Sequence, residues 1–350
     1  MSDTTINFAI VGAGSIADFH AAGIQGATNT RLHSVFNRSF EKAQAFTEKH
    51  GGKACKSLEE LLADPELDAV CITSPSGTHA EVAVAALRAG KHVLCEKPLD
   101  ISLDRVDAIL DAAKDSGKIL AAVFQSRLAP NAMRLKEAIE KGRFGKITFA
   151  SCHVKWWRDQ AYYDASPVRG TWASDGGGCL MNQGIHAIDT LQWLVGKPVE
   201  VSAMMGSIAH ENIEVEDVAA ATLRFQNGAL GVIEGSTSAW PGLQKRIEIS
   251  GDKGSVVLED DALKVWKFQD ELPEDKAILA EGSEDKIMGS GRSNPRAIST
   301  EGHRLLIDDL AQAIRRNGQP AISGPDARNA VEIVLAVYQS AREGRFVKLS

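Results

Sequence analysis

The sequence predicts two domains of different class: an α/β domain first, then an α+β domain built on a large, open, mostly antiparallel sheet. Three observations predict this. The chain has 350 residues, more than one ordinary core organises, since domains run to about 150 residues. Up to residue 124, short apolar runs alternate with amphipathic helical stretches, as in a parallel sheet covered by helices. From Lys146 onward, strands follow one another with few helices between them, which requires antiparallel pairing. The domains are therefore expected at 1–124 and 125–350.

The apolar run Ile6 to Val11 is the first strand, and Gly12-Ala13-Gly14-Ser15-Ile16-Ala17 follows it directly into a helix that reaches about Gly26. Strand, G-x-G-x-x-A, helix is the fingerprint of a dinucleotide-binding Rossmann domain. Gly12 permits the tight turn, Gly14 lets the backbone approach a pyrophosphate, and Ala17 packs closely on the strand. Ser15 and Ile16 open the helix, whose first N–H groups suit the phosphates. An isolated G-x-G is often only a tight turn; its place at the head of an alternating βα series makes an NAD(P) site the expected reading. The second strand, Leu32 to Phe36, ends at Asn37-Arg38-Ser39. NAD sites usually have a carboxylate here, which accepts the ribose hydroxyls and would repel a 2'-phosphate. Asn37 removes that repulsion and Arg38 supplies a cation, so the sequence favours NADP. The alternative is that Arg38 points to water and Asn37 serves the ribose of NAD.

A helix from Ser39 to His50 stops at Gly51-Gly52, and Ser57 caps a short helix that Asp64-Pro65 breaks. The strand Asp68 to Thr73 runs into Ser74-Pro75-Ser76-Gly77-Thr78-His79, at the same sheet edge as Gly12. Ser74, Pro75 and His79 are expected beside the cofactor, His79 as a helix-start residue rather than a proton carrier. The helix Ala80 to Ala89 delivers the chain to Val93-Leu94-Cys95, a buried strand ending in Glu96-Lys97-Pro98. A lysine there lies where open α/β sheets bind ligands, beyond the strand ends, which makes Lys97 the first catalytic candidate. The helix Asp100 to Ser116 and the strand Ile119 to Phe124 complete the sheet near Gln125. Glu96, Lys97 and Gln125 join the expected cofactor contacts.

The second domain starts with a helix from about Asn131 to Lys141. Strands are expected at Ile147 to Val154, Val199 to Gly206, Asp217 to Phe225, Ala229 to Ser236, Lys245 to Ser250, Ser255 to Leu258 and Leu263 to Phe268, with hairpin turns at Asn227-Gly228 and Asp252-Lys253-Gly254. Two insertions carry chemistry. In the first, Trp157, Arg158 and Tyr163 offer flat faces and a forked cation to a polyol or sugar. In the second, Gly176-Gly177-Gly178 is expected to let backbone approach a ligand, and Asn182, His186, Asp189 and Trp193 share one helical stripe. His186 is expected to exchange a proton, with Asn182 fixing the hydroxyl or the imidazole.

The net charge is -7 with both signs interspersed, so no basic stripe marks a nucleic-acid partner. No apolar run approaches the ~18 residues that span a bilayer, and the polar start carries no signal peptide, so a cytoplasmic protein is expected. Five scattered cysteines with no C-x-x-C pair argue against a disulfide framework and a zinc site, and no metal is expected. The open sheet leaves one face for a homodimer or homotetramer. The acidic segment 269–300 is left as a flap or a surface excursion.

Taken together, Gly12-x-Gly14-x-x-Ala17, Glu96-Lys97-Pro98 and Gly176-Gly177-Gly178 followed by Asn182-x-x-x-His186-x-x-Asp189 resemble the glucose-fructose oxidoreductase / inositol dehydrogenase / MocA (Gfo/Idh/MocA) family. The tail Asp326 to Ser340 resembles that family's closing helix, so the likeness spans nearly the whole chain. The resemblance implies a nicotinamide cofactor and oxidation or reduction of a sugar or cyclitol. It matches Lys97 and His186 to the family's active-site lysine and histidine, and Arg169 to an arginine that often touches the nicotinamide end. Asn182 stands where inositol dehydrogenases often have aspartate, and Val168 where a tryptophan often precedes the arginine. Two other readings remain: an enzyme that recycles tightly held NAD within one turnover, and a non-catalytic dinucleotide sensor.

Overall fold

The computed structural model describes residues 4–166, 168–284, 291–294 and 299–349. The chain divides into two compact units, Met1–Gln125 with Thr300–Arg328, and Ser126–Ser299 with Asn329–Ser350.

In the first unit, β1 (Ile6–Val11), β2 (Thr30–Phe36), β3 (Lys53–Cys55), β4 (Ala69–Ile72), β5 (His92–Cys95) and β6 (Leu120–Ala122) form a parallel sheet in the order β3-β2-β1-β4-β5-β6. Helices α1 (Ala17–Gly26), α2 (Phe40–His50), α3 (Leu58–Leu62), α4 (His79–Arg88) and α5 (Leu103–Ser116) connect the strands. Helices on both faces of such a sheet explain why β4 is buried at every residue and reads as an unbroken apolar run. Strand order reverses between β1 and β4, the place where open α/β sheets form their ligand crevice. Strand β3 was not legible because three residues are too few to show a period.

In the second unit, β7 (Ile147–Lys155), β8 (Pro198–Gly206), β9 (Val218–Phe225), β10 (Leu230–Ser236), β11 (Arg246–Gly251), β12 (Gly254–Glu259), β13 (Ala262–Phe268) and β14 (Val347–Lys348) form an eight-stranded sheet. Its order is β13-β12-β11-β7-β10-β9-β8-β14, and every pair is antiparallel except β7 with β10. Helices α6 (Pro130–Glu140), α7 (Gln160–Asp164), α8 (Trp172–Asp175), α9 (Ile185–Val195) and α10 (Asp275–Glu281) belong to this unit. One sheet face is packed and the other is open. Along β9, Ala219, Ala221, Leu223 and Phe225 are buried while Ala220, Thr222 and Arg224 are exposed. Part of the acidic segment is ordered: Asp275 on α10 takes a bidentate ion pair from Arg143 and the indole N–H of Trp266. Residues 285–290 and 295–298 of that segment lie outside the described residues.

The last stretch departs from a simple division at residue 125. Helix α11 (Glu301–Arg316) and the start of α12 (Gly324–Glu343) return to the first unit before the chain ends in the second. Two contacts explain the return. Helix α11 crosses α1 at Gly23, where an added Cβ would stand 2.8 Å from Ile307 Cδ1 and 3.1 Å from the Arg304 backbone nitrogen, so glycine makes room for this close approach. The Ala122 N–H donates to Ile322 and Arg328 pairs with Asp107, which closes the β6 edge. All five cysteines are free and buried, and burial pushes their thiols up. No described helix is long and apolar enough to cross a membrane.

Candidate active site

The crevice of the first unit is built by the glycine turn. Gly12 has a φ of +105°, and a Cβ there would lie 2.7 Å from the Ser74 nitrogen, so glycine is required both for backbone conformation and for space. A Cβ on Gly14 would meet nothing within 4 Å, which leaves its surroundings open for a ligand. No side chain caps α1; the Ala17 and Phe19 N–H groups donate to the Gly14 and Ile16 carbonyls within the turn. The result is a cleft of about 780 Å³ lined by Gly12 to Ile16, Asn37, Arg38, Ser74 and Pro75, the span of a dinucleotide half. Thr78, in the loop expected at this edge, also lines it, as does Lys42, which sequence reasoning missed and which stands in the first turn of α2 four residues after Arg38.

Asn37 faces this turn. Its Oδ1 accepts the Ala13 N–H at 3.1 Å and its amide donates to the Ser39 carbonyl, so it braces the glycine loop against β2. Arg38 and Lys42 are both exposed, and neither makes an ion pair among the described residues.

Two residues expected on the cofactor are turned inward. His79 is buried with Nδ1 2.8 Å from the Pro98 carbonyl and Nε2 2.8 Å from the Ser74 carbonyl, so it staples the loop after β4 to the loop after β5. Glu96 is buried with its carboxylate on His20 and His303. These three are the one group among the described residues that gathers metal-ligand atoms, all within 4.8 Å of one another. Gln125 opens a short 3-10 turn with its Oε1 buried and without a hydrogen-bond partner among the described residues, which suits it to accept from a bound group. Lys97 follows directly after β5, where its chain was expected to meet the crevice.

In the second unit, the tight turn before α9 is the feature that sequence missed. Residues Cys179–Gly184 form a π-helical turn that runs straight into α9, a geometry that leaves backbone N–H groups without helical partners and recurs at functional sites. Glu216 and Tyr338 satisfy them. The Glu216 carboxylate accepts the N–H groups of Gly178 and Leu180, its carbonyl accepts that of Cys179, and the Tyr338 hydroxyl accepts that of Met181. Tyr338 in turn donates to Glu216 at 2.8 Å. The triple glycine is thus not an approach for ligand. A Cβ on Gly178 would collide with the Glu216 carbonyl, and one on Gly177 with the Tyr338 hydroxyl. Glycines were the legible signal; their partners, 38 residues away in one case, were not.

The turn presents Asn182 and His186, both half-buried, on one side of the segment. Asp189, expected on the same stripe, is fully buried and held by a bidentate pair with Arg127 at 2.6 and 2.7 Å. Its role is to seat α9, and Trp193 takes a cation-π contact from the same arginine. Arg158 and Tyr163, expected on the substrate, are also corrected. Arg158 is 4% exposed with its guanidinium on the carbonyls of Trp157, Gly291 and Arg292. Tyr163 is buried with its hydroxyl on Thr237. Trp157 packs edge to face on the exposed Trp240, and Arg169 is half-buried and stacks 4.2 Å from the Tyr162 ring, with no carboxylate partner among the described residues.

Comparison with known proteins agrees with this architecture. Residues 6–124 match a family model described as an oxidoreductase family with an NAD-binding Rossmann fold, and residues 132–257 match the GFO/IDH/MocA C-terminal domain. A myo-inositol 2-dehydrogenase of Thermotoga maritima is 31% identical over 97% of each chain. The chain belongs to the Gfo/Idh/MocA family of oxidoreductases. An inositol 2-dehydrogenase of Rhizobium meliloti is 28% identical over 99% of this chain and 100% of its own. Among solved structures, the WlbA dehydrogenase of Bordetella pertussis in complex with NADH and UDP-GlcNAcA is 32% identical over 99% of each chain, with a TM-score of 0.88. Membership of this family makes the first unit an NAD-binding Rossmann fold and the protein an oxidoreductase.

Proposed function

We propose that the protein transfers a hydride between a nicotinamide dinucleotide, preferentially the 2'-phosphorylated form, and a secondary alcohol of a sugar, sugar derivative or cyclitol. The observation that carries this reading is Lys97, placed at the carboxyl end of β5 beside the switch point of an NAD-binding sheet. The names of the relatives support the substrate class: two are inositol 2-dehydrogenases, and the WlbA neighbour was solved with a nucleotide sugar. When bound, the nicotinamide supplies the hydride chemistry. The chain's own residues orient the alcohol and move its proton. Lys97 hydrogen-bonds the reacting hydroxyl and favours its ionised form. His186 takes up or returns the proton, and Asn182 fixes the hydroxyl or the imidazole without titrating. Arg169 and Trp157 border the bound molecules.

Preference for the phosphorylated cofactor rests on Asn37, Arg38 and Lys42 alone, since the WlbA neighbour holds NADH. Titration with NADPH and NADH, followed by a panel of sugars, cyclitols and sugar acids, tests the reading. NADPH is expected to bind more tightly, and Arg38→Ala to weaken NADPH about tenfold or more while leaving NADH nearly unchanged. A preference for NADH that Arg38→Ala does not alter would sink the phosphate assignment. No turnover on any member of the panel would sink the substrate class.

The open sheet face is proposed as the surface that joins subunits. Met204 on β8 is 82% exposed, and Phe149 and Leu230 are 40% and 49% exposed, an apolar content that solvent does not favour. Light scattering is expected to give a mass of two or four chains, and Met204→Lys to shift it towards one; a monomer without the substitution would refute this.

A further inference from the structure

Beside Lys97 lies a buried cluster that the proposed chemistry does not use. Glu96 Oε1 lies 3.0 Å from His20 Nε2 on α1 and 3.4 Å from His303 Nε2 on α11, while Oε2 accepts the Lys97 backbone N–H at 3.2 Å. His20 and His303 are 0% and 1% exposed and meet edge to face at 4.9 Å, and neither Nδ1 has a hydrogen-bond partner among the described residues. Three segments distant in sequence therefore converge on one carboxylate. The approach of α11 to α1 at Gly23 is what delivers His303 to it. Burial alone would raise the Glu96 carboxyl, but the hydrogen bonds from the two imidazoles outweigh it and hold the group well below the usual carboxylate range. Burial pushes His20 down.

We propose that His20, Glu96 and His303 are positioning residues that lock the Lys97 main chain at the end of β5 and fix a buried carboxylate on the residue before it. That carboxylate favours the oxidised, positively charged dinucleotide over the reduced one. The inference rests on the dehydrogenase reading for its effect on turnover, but its effect on cofactor binding is measured without any substrate. A unit charge felt through protein at close range is worth a severalfold change in affinity. Glu96→Gln keeps the shape of the side chain and removes the charge. It is expected to raise the Kd of the oxidised form about fivefold or more, to change that of the reduced form less than about twofold, and to lower kcat about tenfold with substrate KM nearly constant. His303→Gln keeps the carboxylate, so the ratio of the two Kd values should stay unaltered while kcat falls severalfold.

Fluorescence titration with both redox forms, together with steady-state kinetics on folded variants, decides the matter. An unchanged Kd ratio in Glu96→Gln overturns the charge role, and kcat within twofold of the unaltered chain in both variants overturns the positioning role. If Glu96→Gln does not fold, His303→Gln carries the test alone, and unaltered kcat in it refutes the proposal. One equivalent of zinc retained by the purified protein through dialysis also refutes it, because the Nε2 atoms would then be ligands rather than donors. Lack of turnover in the unaltered chain with a shifted Kd ratio in Glu96→Gln would instead sink the dehydrogenase reading and leave the charge role standing.

Discussion

Replacing Lys97 with methionine is expected to lower kcat/KM by about a thousandfold while leaving dinucleotide affinity within about threefold. Methionine has nearly the length and apolar stem of lysine, so the substitution removes the ammonium and little else. The ammonium is assigned to the reacting hydroxyl, an interaction that strengthens as the oxygen gains negative charge on its way to the transition state. Loss of such a group falls on kcat rather than on cofactor binding. The glycine turn assigned to the phosphates lies elsewhere on the sheet edge, at the ends of β1 and β2. Steady-state kinetics with a responsive substrate, paired with a fluorescence titration of the cofactor, checks both halves. Turnover within about threefold would remove Lys97 from the chemistry.

Gly178→Ala is expected to be the most damaging single methyl group in the second unit. Its Cβ would overlap the Glu216 carbonyl, which is backbone of the segment leading into β9 and already accepts the Cys179 N–H at 2.9 Å. Neither side can give way without breaking the bonds that Gly178 and Leu180 make to the Glu216 carboxylate. Overpacking costs about 1–3 kcal/mol where side chains can shift, and a clash with backbone should lie at or above the top of that range. Thermal denaturation should show a fall in Tm of about 5–10 °C, together with loss of activity because the turn that carries Asn182 and His186 is displaced. As a control for activity, Gly196→Ala places its Cβ in open space, so although its φ of +97° and ψ of 164° strain the backbone and lower Tm, its effect on activity should be far smaller than that of Gly178→Ala. A variant of Gly178 with unaltered Tm would show that the turn relaxes freely.

Much of this was legible before any coordinates. The glycine turn, the helix starts at Ser39 and Ser57 with their side-chain caps, and the alternating strands of the second unit are local patterns, decided by residues within a few positions of each other. The lysine after β5 and the histidine segment are local patterns too, and the proposed chemistry is built on them. Errors fell where a side chain's role depends on its partner. Arg158 and Tyr163 were chosen for a forked charge and a flat face, and burial commits each to backbone carbonyls or a hydroxyl, while His79 starts α4 as expected but is turned onto the Pro98 and Ser74 carbonyls. Asp189 shares a stripe with His186 by spacing, yet Arg127 holds it from 62 residues away.

By itself, then, the sequence determined the order and class of the elements and the dinucleotide turn, and it located the lysine and histidine on which the proposed chemistry is built. Each follows from steric and periodic rules that act along the chain. Only the tertiary structure decided that α11 returns to the first unit, that the triple glycine packs on Glu216 and Tyr338, and that Glu96 is shared by His20 and His303. The physical reason is common to all three. A buried polar group must find its partner, and the partner is chosen by proximity in the folded core, across separations that no local pattern records.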